Sequence, residues 1–323
     1  MNILPKSKDG CPYLILAPME GVGDSSFRKA MASIGGFDEG VRDFLRVPSN
    51  AHVKSLAKQY DAQEIKPIPL AAQLMGSDIH LMADMAREIE ALGAPRIDLN
   101  CGCPSNTVTG RGAGSSLLKE PDLLHQIAKA MVKAVSIPVT AKLRSGFDDT
   151  SLFKENLLAA QESGIAFLTL HPRTKADGYG PPANWDLIAE AKTLLNIPVV
   201  GNGDILNVSD ALKMLHHTRC DALMIGRGSI INPFIFHEIK NHFIGNSYKG
   251  AWNHVVKYFD VYLESFPEYI PVKTRINKLK QLMGFMFKQN SMLLNKRQDI
   301  LRAPCQEVRS FLDFALPELQ LYY

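Results

Sequence analysis

Residues 95–104 read Pro95-Arg96-Ile97-Asp98-Leu99-Asn100-Cys101-Gly102-Cys103-Pro104. Ile97-Asp98-Leu99 is a short apolar run of the length of a buried strand. It ends in Asn100 and two cysteines, and Pro104 cannot continue sheet pairing. The run therefore places a thiol, with an ordinary pKa of about 8.5, at the exit of a strand. In a barrel of parallel strands that exit is where chemistry sits. Taken alone, Cys103 reads better as a buried structural cysteine or as half of a Cys-x-Cys metal pair, because free cysteine is among the most buried residue types. The rest of the chain reverses that balance.

Along the rest of the chain such runs recur, eight in all: Leu14–Met19, Phe37–Phe44, Ile68–Leu74, Arg96–Asn100, Val139–Leu143, Phe167–Leu170, Val199–Gly201 and Ala222–Ile225. Their spacing, roughly 25 to 45 residues, suits one βα unit each. Ile137-Pro138 and Ile197-Pro198 enter strands where proline is tolerated. Gly35, Gly93 and Gly164 fit helix ends. Leu81, Met85, Ile89 and Leu92 fall on one helical stripe. The pattern predicts an α/β fold, a TIM (β/α)8 barrel, rather than an open doubly wound sheet. No G-x-G-x-x-G opens a helix after the first strand, which weakens a dinucleotide-binding reading. After about residue 243 the strand-like runs stop and helical stripes take over, with Ile276, Leu279, Met283 and Met286 on one face and Lys273 and Lys280 on its flank. The expected division is a catalytic barrel over 1–242 and a small all-helical domain over 243–323.

The chain has 323 residues, which suits a barrel plus an appendage. It holds no run of about 18 apolar residues, so no membrane span is expected. Met1 to Gly10 is polar and lacks the apolar stretch of a signal peptide. The five cysteines are odd in number and scattered. They imply no disulfide framework and point to a reducing cytoplasm. No second Cys or His cluster accompanies Cys101 and Cys103, so no metal site is expected. Net charge is +3 and uneven: residues 273–302 carry eight basic residues and one acid, Asp299. A lone basic run reads better as a solvated helical face. On an otherwise neutral enzyme it is also the footprint of a polyanionic partner.

The ends of the runs suit one kind of ligand. The first ends in Ala17-Pro18-Met19-Glu20-Gly21 and the third at Gln73, an amide able to read a heteroaromatic edge. The fourth offers Asn100. The fifth ends in Lys142-Leu143-Arg144, whose alternation puts both cations on one face. A buried lysine is costly unless an anion or electron-rich ring lies beside it. The sixth ends in His171-Pro172-Arg173-Thr174. The seventh and eighth end in Gly201-Asn202-Gly203-Asp204 and Gly226-Arg227-Gly228, where barrels often bind phosphate through backbone N–H groups. Each feature alone is weak: a lone His171 is more often a core histidine, and Asn202-Gly203 a plain turn. Together they suggest flavin mononucleotide.

On these motifs the chain resembles the tRNA-dihydrouridine synthases over essentially its whole length. Asp98-Leu99-Asn100-Cys101-Gly102-Cys103-Pro104-Ser105, with Gly112-Ala113-Gly114 downstream, is the most specific part. Met19-Glu20-Gly21 and Phe44-Leu45-Arg46-Val47 look most like the C-type branch, which acts on uridine at tRNA position 16. Asp43 stands where that branch usually has Glu, and Pro172 replaces a common glycine. The resemblance implies a flavin-containing barrel followed by a helical tRNA-binding domain. It implies that Pro18, Met19 and Glu20 line the flavin, that Gln73 meets its ring edge, and that Lys142 lies by its electron-rich N1/O2 side. His171 would lie near its phosphate end, and Asn202, Gly203, Asp204, Gly226 and Arg227 would hold ribityl and phosphate. Cys103 would be the general acid. Asn100, Arg46, Arg144 and Arg173 would face the target base or flanking nucleotides, and Lys278 and Lys280 the tRNA. The expected reaction is FMN-dependent reduction of the C5=C6 bond of a D-loop uridine, driven by NADPH or NADH, by a monomer. The competing expectations are an FMN-dependent reductase or dehydrogenase of a free pyrimidine, which leaves the basic helices unexplained, and an RNA-binding module, which leaves Cys103, Lys142 and His171 unexplained.

Overall fold

The computed structural model describes residues 3–104, 112–180, 182–289, 291–305, 307–321 and 323. Ser105 of the quoted motif, and Met1 and Asn2 of the polar N-terminus, lie outside the described residues. Eight parallel strands close a barrel: β1 (Tyr13–Leu16), β2 (Glu39–Val41), β3 (Leu70–Met75), β4 (Ile97–Cys101), β5 (Val139–Gly146), β6 (Leu168–Thr174), β7 (Val199–Asn202) and β8 (Ala222–Ile225). Each pairs with its neighbour in sequence, and Leu16 of β1 pairs with Ile225 of β8 to close the ring. A two-residue strand, Leu45–Arg46, extends the rim by pairing Leu45 with Leu74 and Arg46 with Met75.

Alternation along the strands builds two apolar layers. Leu14, Leu16, Leu70, Leu74, Ile97, Leu99, Leu143, Leu168, Leu170 and Val199 point outward and pack under the helices. Ile15, Ala17, Val41, Ala71, Phe167, Val200, Ala222 and Met224 fill the interior. Cys101 is on the outward side and fully buried, and burial pushes its thiol up, out of the range of useful acidity. The interior positions of β4 and β5 are polar instead: Asp98 pairs in register with Thr140, and Asn100 with Lys142.

The covering helices are α1 (Ser25–Ile34), α2 (Val53–Ala57), α3 (Ile79–Ala91), α4 (Pro121–Ala134), α5 (Phe153–Glu162), α6 (Asp186–Leu194) and α7 (Val208–Thr218). Asp24, Asp78 and Asn207 cap α1, α3 and α7, each accepting from a backbone N–H in the first turn. A short α8 (Arg227–Ile231) starts directly at the exit of β8, followed by α9 (Ile235–Phe243). The chain then forms only helices: α10 (Trp252–Glu264), α11 (Val272–Met286), α12 (Ser291–Arg302) and α13 (Val308–Gln320). Val255, Tyr258, Phe259, Leu279, Met283, Phe311 and Leu319 are buried among them. This region is docked onto the barrel: α10 packs on α1, α11 packs on α8, and Lys278 of α11 forms an ion pair with Asp24. None of the described helices is long and apolar enough to cross a membrane.

Several element ends differ from expectation, among them those of β1 and β6. β1 stops at Leu16, and Pro18-Met19-Glu20 form a loop over the barrel mouth, because Gly23 N donates to Met19 O and turns the chain. β6 runs on through His171-Pro172-Arg173 to Thr174. Pro172 is accommodated because the register shifts there: Arg144 opposes His171 but Gly146 opposes Thr174. A missing N–H is tolerated at such an irregularity.

Candidate active site

At the C-terminal ends of the strands lies a cavity of about 730 Å³. Met19, Gln73, Asn100, Cys103, Lys142, Arg144 and His171 line it. A smaller pocket of about 90 Å³ adjoins it at the exits of β7 and β8, bounded by Asn202, Gly203, Asp204, Gly226, Arg227 and Gly228. Lys142, His171 and Tyr179 line both. Residues from seven strand ends, far apart in sequence, therefore meet in one space, as barrel topology requires.

Cys103 is held by the turn that follows β4. Asn100 Oδ1 accepts from the backbone N–H of Gly102 at 3.0 Å and of Cys103 at 2.9 Å. Arg144 Nε donates to Gly102 O at 2.8 Å, and Ser115 Oγ donates to Cys103 O at 2.8 Å. The side chain packs with Met75, Ala113 and Phe44, yet borders the cavity. Its sulfur lies 3.6 Å from Glu20 Oε2 as a donor. A thiol held on a cavity wall with a carboxylate beside it is arranged for proton transfer.

The electrostatics of the opposite wall are cationic. Lys142 takes no hydrogen bond or ion pair among the described residues. Burial, helped by the nearby Arg144 charge, lowers its pKa to about 8. Its ammonium is therefore prepared for an electron-rich or anionic group. His171 is pushed down to about 2, by burial first and then by Lys142, Arg144, Arg173 and Arg227 around it. It is neutral in working conditions, and its Nε2 accepts from Arg173 Nη1 at 3.1 Å, which leaves the ring proton on Nδ1.

At the smaller pocket Asp204 ties two arginines, accepting from Arg173 Nη2 at 2.6 Å and from Arg227 Nη2 at 2.9 Å. Burial opposes its ionisation, but the Ala183 N–H at 2.8 Å and the two guanidiniums outweigh this and hold the carboxyl below the usual range. Two cations against one anion leave this corner positive. Gly203 has φ +116°, and a Cβ there would lie 2.9 Å from His171 Cδ2. A Cβ on Gly228 would lie 2.1 Å from Ile205 O. Only glycine lets the backbone close around this pocket. Its size and charge fit a phosphate.

Most residues picked out by the motifs converge here; several do not face the side expected of them. Arg173 is buried behind His171 and Asp204, bonded to both, and lines neither the phosphate-sized pocket nor the mouth. Asn100 lines the cavity but spends both ends of its amide on Gln73 and the Cys103 turn. Arg46 lines a separate rim groove of about 470 Å³ with Asn50, His52 and Gln59, because its strand segment lies outside the barrel mouth. Lys278 pairs with Asp24, and Lys280 donates to Ala303 O at 2.6 Å across the ring of Phe311. Arg144 lies on the cavity wall below Tyr179.

Other residues of the cavity were not anticipated. Tyr179 is exposed over the mouth, its ring 4.8 Å from the Arg227 guanidinium and 5.4 Å from that of Arg144. Phe285 reaches the same cavity from α11. Neither carries a local signal: Tyr179 sits in a loop without periodicity, and Phe285 reads as one more apolar residue of a helix. Among the described residues no three His, Cys, Asp or Glu side chains come together as metal ligands.

Comparison with known proteins agrees with this geometry. Residues 15–309 match the dihydrouridine synthase (Dus) family. The chain is 37% identical over 295 residues to the tRNA-dihydrouridine(16) synthase of Neisseria meningitidis serogroup B, covering 88% of each chain. It is 42% identical over 236 residues to that of Shewanella oneidensis, covering 70% of this chain and 75% of the relative. It is 35% identical over 285 residues to that of Yersinia pestis, covering 85% and 90%. Among solved structures it is similar to histamine dehydrogenase from Rhizobium sp. 4-9, with TM-score 0.55 and 14% identity over 77% of this chain and 49% of that one, about half its length. It is also similar to a 2-naphthoyl-CoA reductase, with TM-score 0.57 and 13% identity over 94% and 67%. At that identity these two bear on the barrel fold alone. With Cys103 on the wall of a barrel-mouth cavity and a match spanning residues 15–309, the chain belongs to the dihydrouridine synthase family of oxidoreductases.

Proposed function

We propose that this protein is a tRNA-dihydrouridine synthase that reduces the C5=C6 bond of a D-loop uridine, at position 16, with FMN as cofactor and NADPH or NADH as reductant. The observation that carries this reading is the pairing of a cysteine on one wall of the cavity with an unpartnered ammonium and a phosphate-sized pocket on the other. The residues fit the cofactor. Lys142 would meet the electron-rich N1/O2 side of the ring and Gln73 its edge, with Pro18, Met19 and Glu20 along it and His171 near the phosphate end. Asn202, Gly203, Asp204, Gly226 and Arg227 would hold ribityl and phosphate.

When bound, a flavin in this site would supply the hydride for C6 of the uracil. Cys103 holds the proton that goes to C5, and Glu20, which accepts the S–H, is placed to restore it from solvent. Lys142 would offset negative charge on a ring held beside it. The uridine must leave the tRNA stack to reach the barrel mouth, which is easier in loop RNA than in a duplex. Arg144 and Tyr179 border the entrance it would use. Residues 1–242 would form the catalytic unit and 243–323 the RNA-binding unit. Arg46 in its rim groove, and Lys278 and Lys280 after a local change of partner, would contact flanking phosphates, with binding that weakens steeply with salt.

The test is nucleoside mass analysis of tRNA incubated with the protein and NADPH, with the modified position mapped. A two-dalton gain on uridine 16 is expected. A gain at another position would discard the position assignment. No gain, with a free pyrimidine turned over instead, would overturn the tRNA reading.

A further inference from the structure

Inside the barrel Arg96, Thr140, Asp98, Gln73 and Asn100 form an ordered chain beneath Cys103. Asp98 is fully buried, and its Oδ1 accepts from Thr140 Oγ1 at 2.6 Å and from Arg96 Nη1 at 3.4 Å. Its Oδ2 accepts from Gln73 Nε2 at 2.8 Å. Gln73 Oε1 accepts from Asn100 Nδ2 at 2.8 Å. Asn100 Oδ1 then accepts from the backbone N–H of Gly102 and Cys103. The two ends of this chain are chemically fixed: a carboxylate only accepts, and a backbone N–H only donates. The amides between them therefore have a single orientation in which every bond is made.

We propose that Asp98 is a positioning residue for Cys103: it fixes the orientation of the Gln73 and Asn100 amides, and through them the turn that presents the thiol. The ordering itself predicts what breaks it. In Asp98→Asn, the new amide oxygen stays with Arg96 and Thr140, and its NH₂ faces Gln73 Nε2, donor against donor. Gln73 relieves that contact by rotating its amide, which turns its NH₂ toward Asn100. Asn100 rotates in turn, and its NH₂ meets the N–H groups of Gly102 and Cys103. The mismatch cannot be removed; it travels to the cysteine turn. Exchanging the two groups repairs it. In Asp98→Asn with Gln73→Glu, the carboxylate now at position 73 accepts from the amide at position 98 on one side and from Asn100 on the other, and Asn100 returns to its original orientation.

The experiment measures alkylation of Cys103 by iodoacetamide in the flavin-free protein, by mass spectrometry of its peptide, which needs no turnover. D98N is expected to change that rate threefold or more, and the D98N/Q73E exchange to bring it back within twofold of the unmodified protein. Thr140→Val removes a bond to the same carboxylate but leaves the ordering intact, and is expected to stay within twofold. If D98N does not fold, Gln73→Met removes the middle link and is expected to show the same change in rate. An unchanged rate in D98N, or in Q73M where D98N is not folded, or no recovery in the exchange variant, overturns the proposal. The kinetic consequence rests on the proposed function: D98N should lower kcat on tRNA tenfold or more with KM within twofold. A protein that makes no dihydrouridine yet shows the alkylation pattern would overturn the functional reading and leave the positioning role standing.

Discussion

Cys103 Sγ and Glu20 Oε2 lie 3.6 Å apart although 83 positions separate the two residues in the chain. The β1 exit loop lays its carboxylate against the thiol at the β4 exit, where it can accept the S–H. Cys103→Ala should keep flavin and tRNA binding but lower the rate of dihydrouridine formation by about 10² to 10⁴, the range of a general acid. Glu20→Gln should lower it less, on the order of tenfold, because an amide can bond the sulfur but not return a proton to it. Single-turnover rates with pre-reduced enzyme measure both. An unchanged rate in Glu20→Gln would remove Glu20 from the proton path.

With Lys142 beside the cofactor, as proposed, affinity should depend on pH. Its pKa is lowered from 10.5 to about 8 by burial, so the free protein begins to lose that charge above pH 8. An anionic or electron-rich ring beside it raises the pKa again, so binding above pH 8 requires uptake of a proton. Affinity for FMN should fall as pH rises through 8, by up to about tenfold per pH unit. The charge is also a cost to the empty native state. It is present in full below pH 8 and fades as pH rises to 10.5, because the unfolded chain holds the proton more tightly. Lys142→Met should therefore bind FMN weakly without that pH dependence, while being more stable when flavin-free at pH 7 by up to about 3 kcal/mol. Fluorescence titrations and denaturant melts measure the two effects.

His171 predicts a loss of stability in acid. Its folded pKa is about 2 against an ordinary 6.5, so below pH 6.5 the unfolded chain binds a proton that the native chain refuses. Stability is flat above pH 6.5 and falls below it, by about 2 kcal/mol at pH 5 from this group alone. In His171→Asn that part of the acid limb should be missing. Urea unfolding of the flavin-free protein at pH 5 and 7 gives the comparison, and equal pH slopes in both proteins would refute it.

Arg227 offers a test that separates phosphate recognition from ring recognition. It holds Asp204 at 2.9 Å on the edge of the 90 Å³ pocket. Arg227→Ala should weaken FMN binding about 10- to 100-fold, the worth of a lost charged hydrogen bond. Riboflavin, which has no phosphate, should bind both proteins alike. Equal losses for the two ligands would place Arg227 elsewhere.

Phe285 offers the flat apolar face of α11 to the cavity, with the Lys288 ammonium 4.9 Å from its ring. A stacking face for a nucleobase is worth about 1–3 kcal/mol per base. Phe285→Ala should lower kcat/KM for tRNA by roughly 5- to 100-fold, and Phe285→Trp should preserve it. Oxidation of NADPH in the absence of tRNA should not change. A loss in that reaction too would mean that the ring supports the flavin side instead.

The barrel was legible in the sequence because strand alternation and helix periodicity are local. Once Ile97, Leu99 and Leu143 face the helices, Asp98, Asn100 and Lys142 must face inward. The strand-end motifs were legible for the same reason, since a parallel barrel brings all its strand exits to one mouth whatever the loops between them do. The directions of long side chains were not. Arg173 could reach the mouth or turn away from it, and only Asp204, 31 positions on, decides that it turns away. Lys278 reads as a free cation on a basic helix until Asp24, 254 positions away, is seen against it. Glu20 beside Cys103 and Phe285 over the cavity likewise depend on how β1, β4 and α11 are placed. Period and composition determined the barrel, its mouth and the thiol there. Contacts between residues distant in the chain, set by packing of the completed fold, decided which charge faces which.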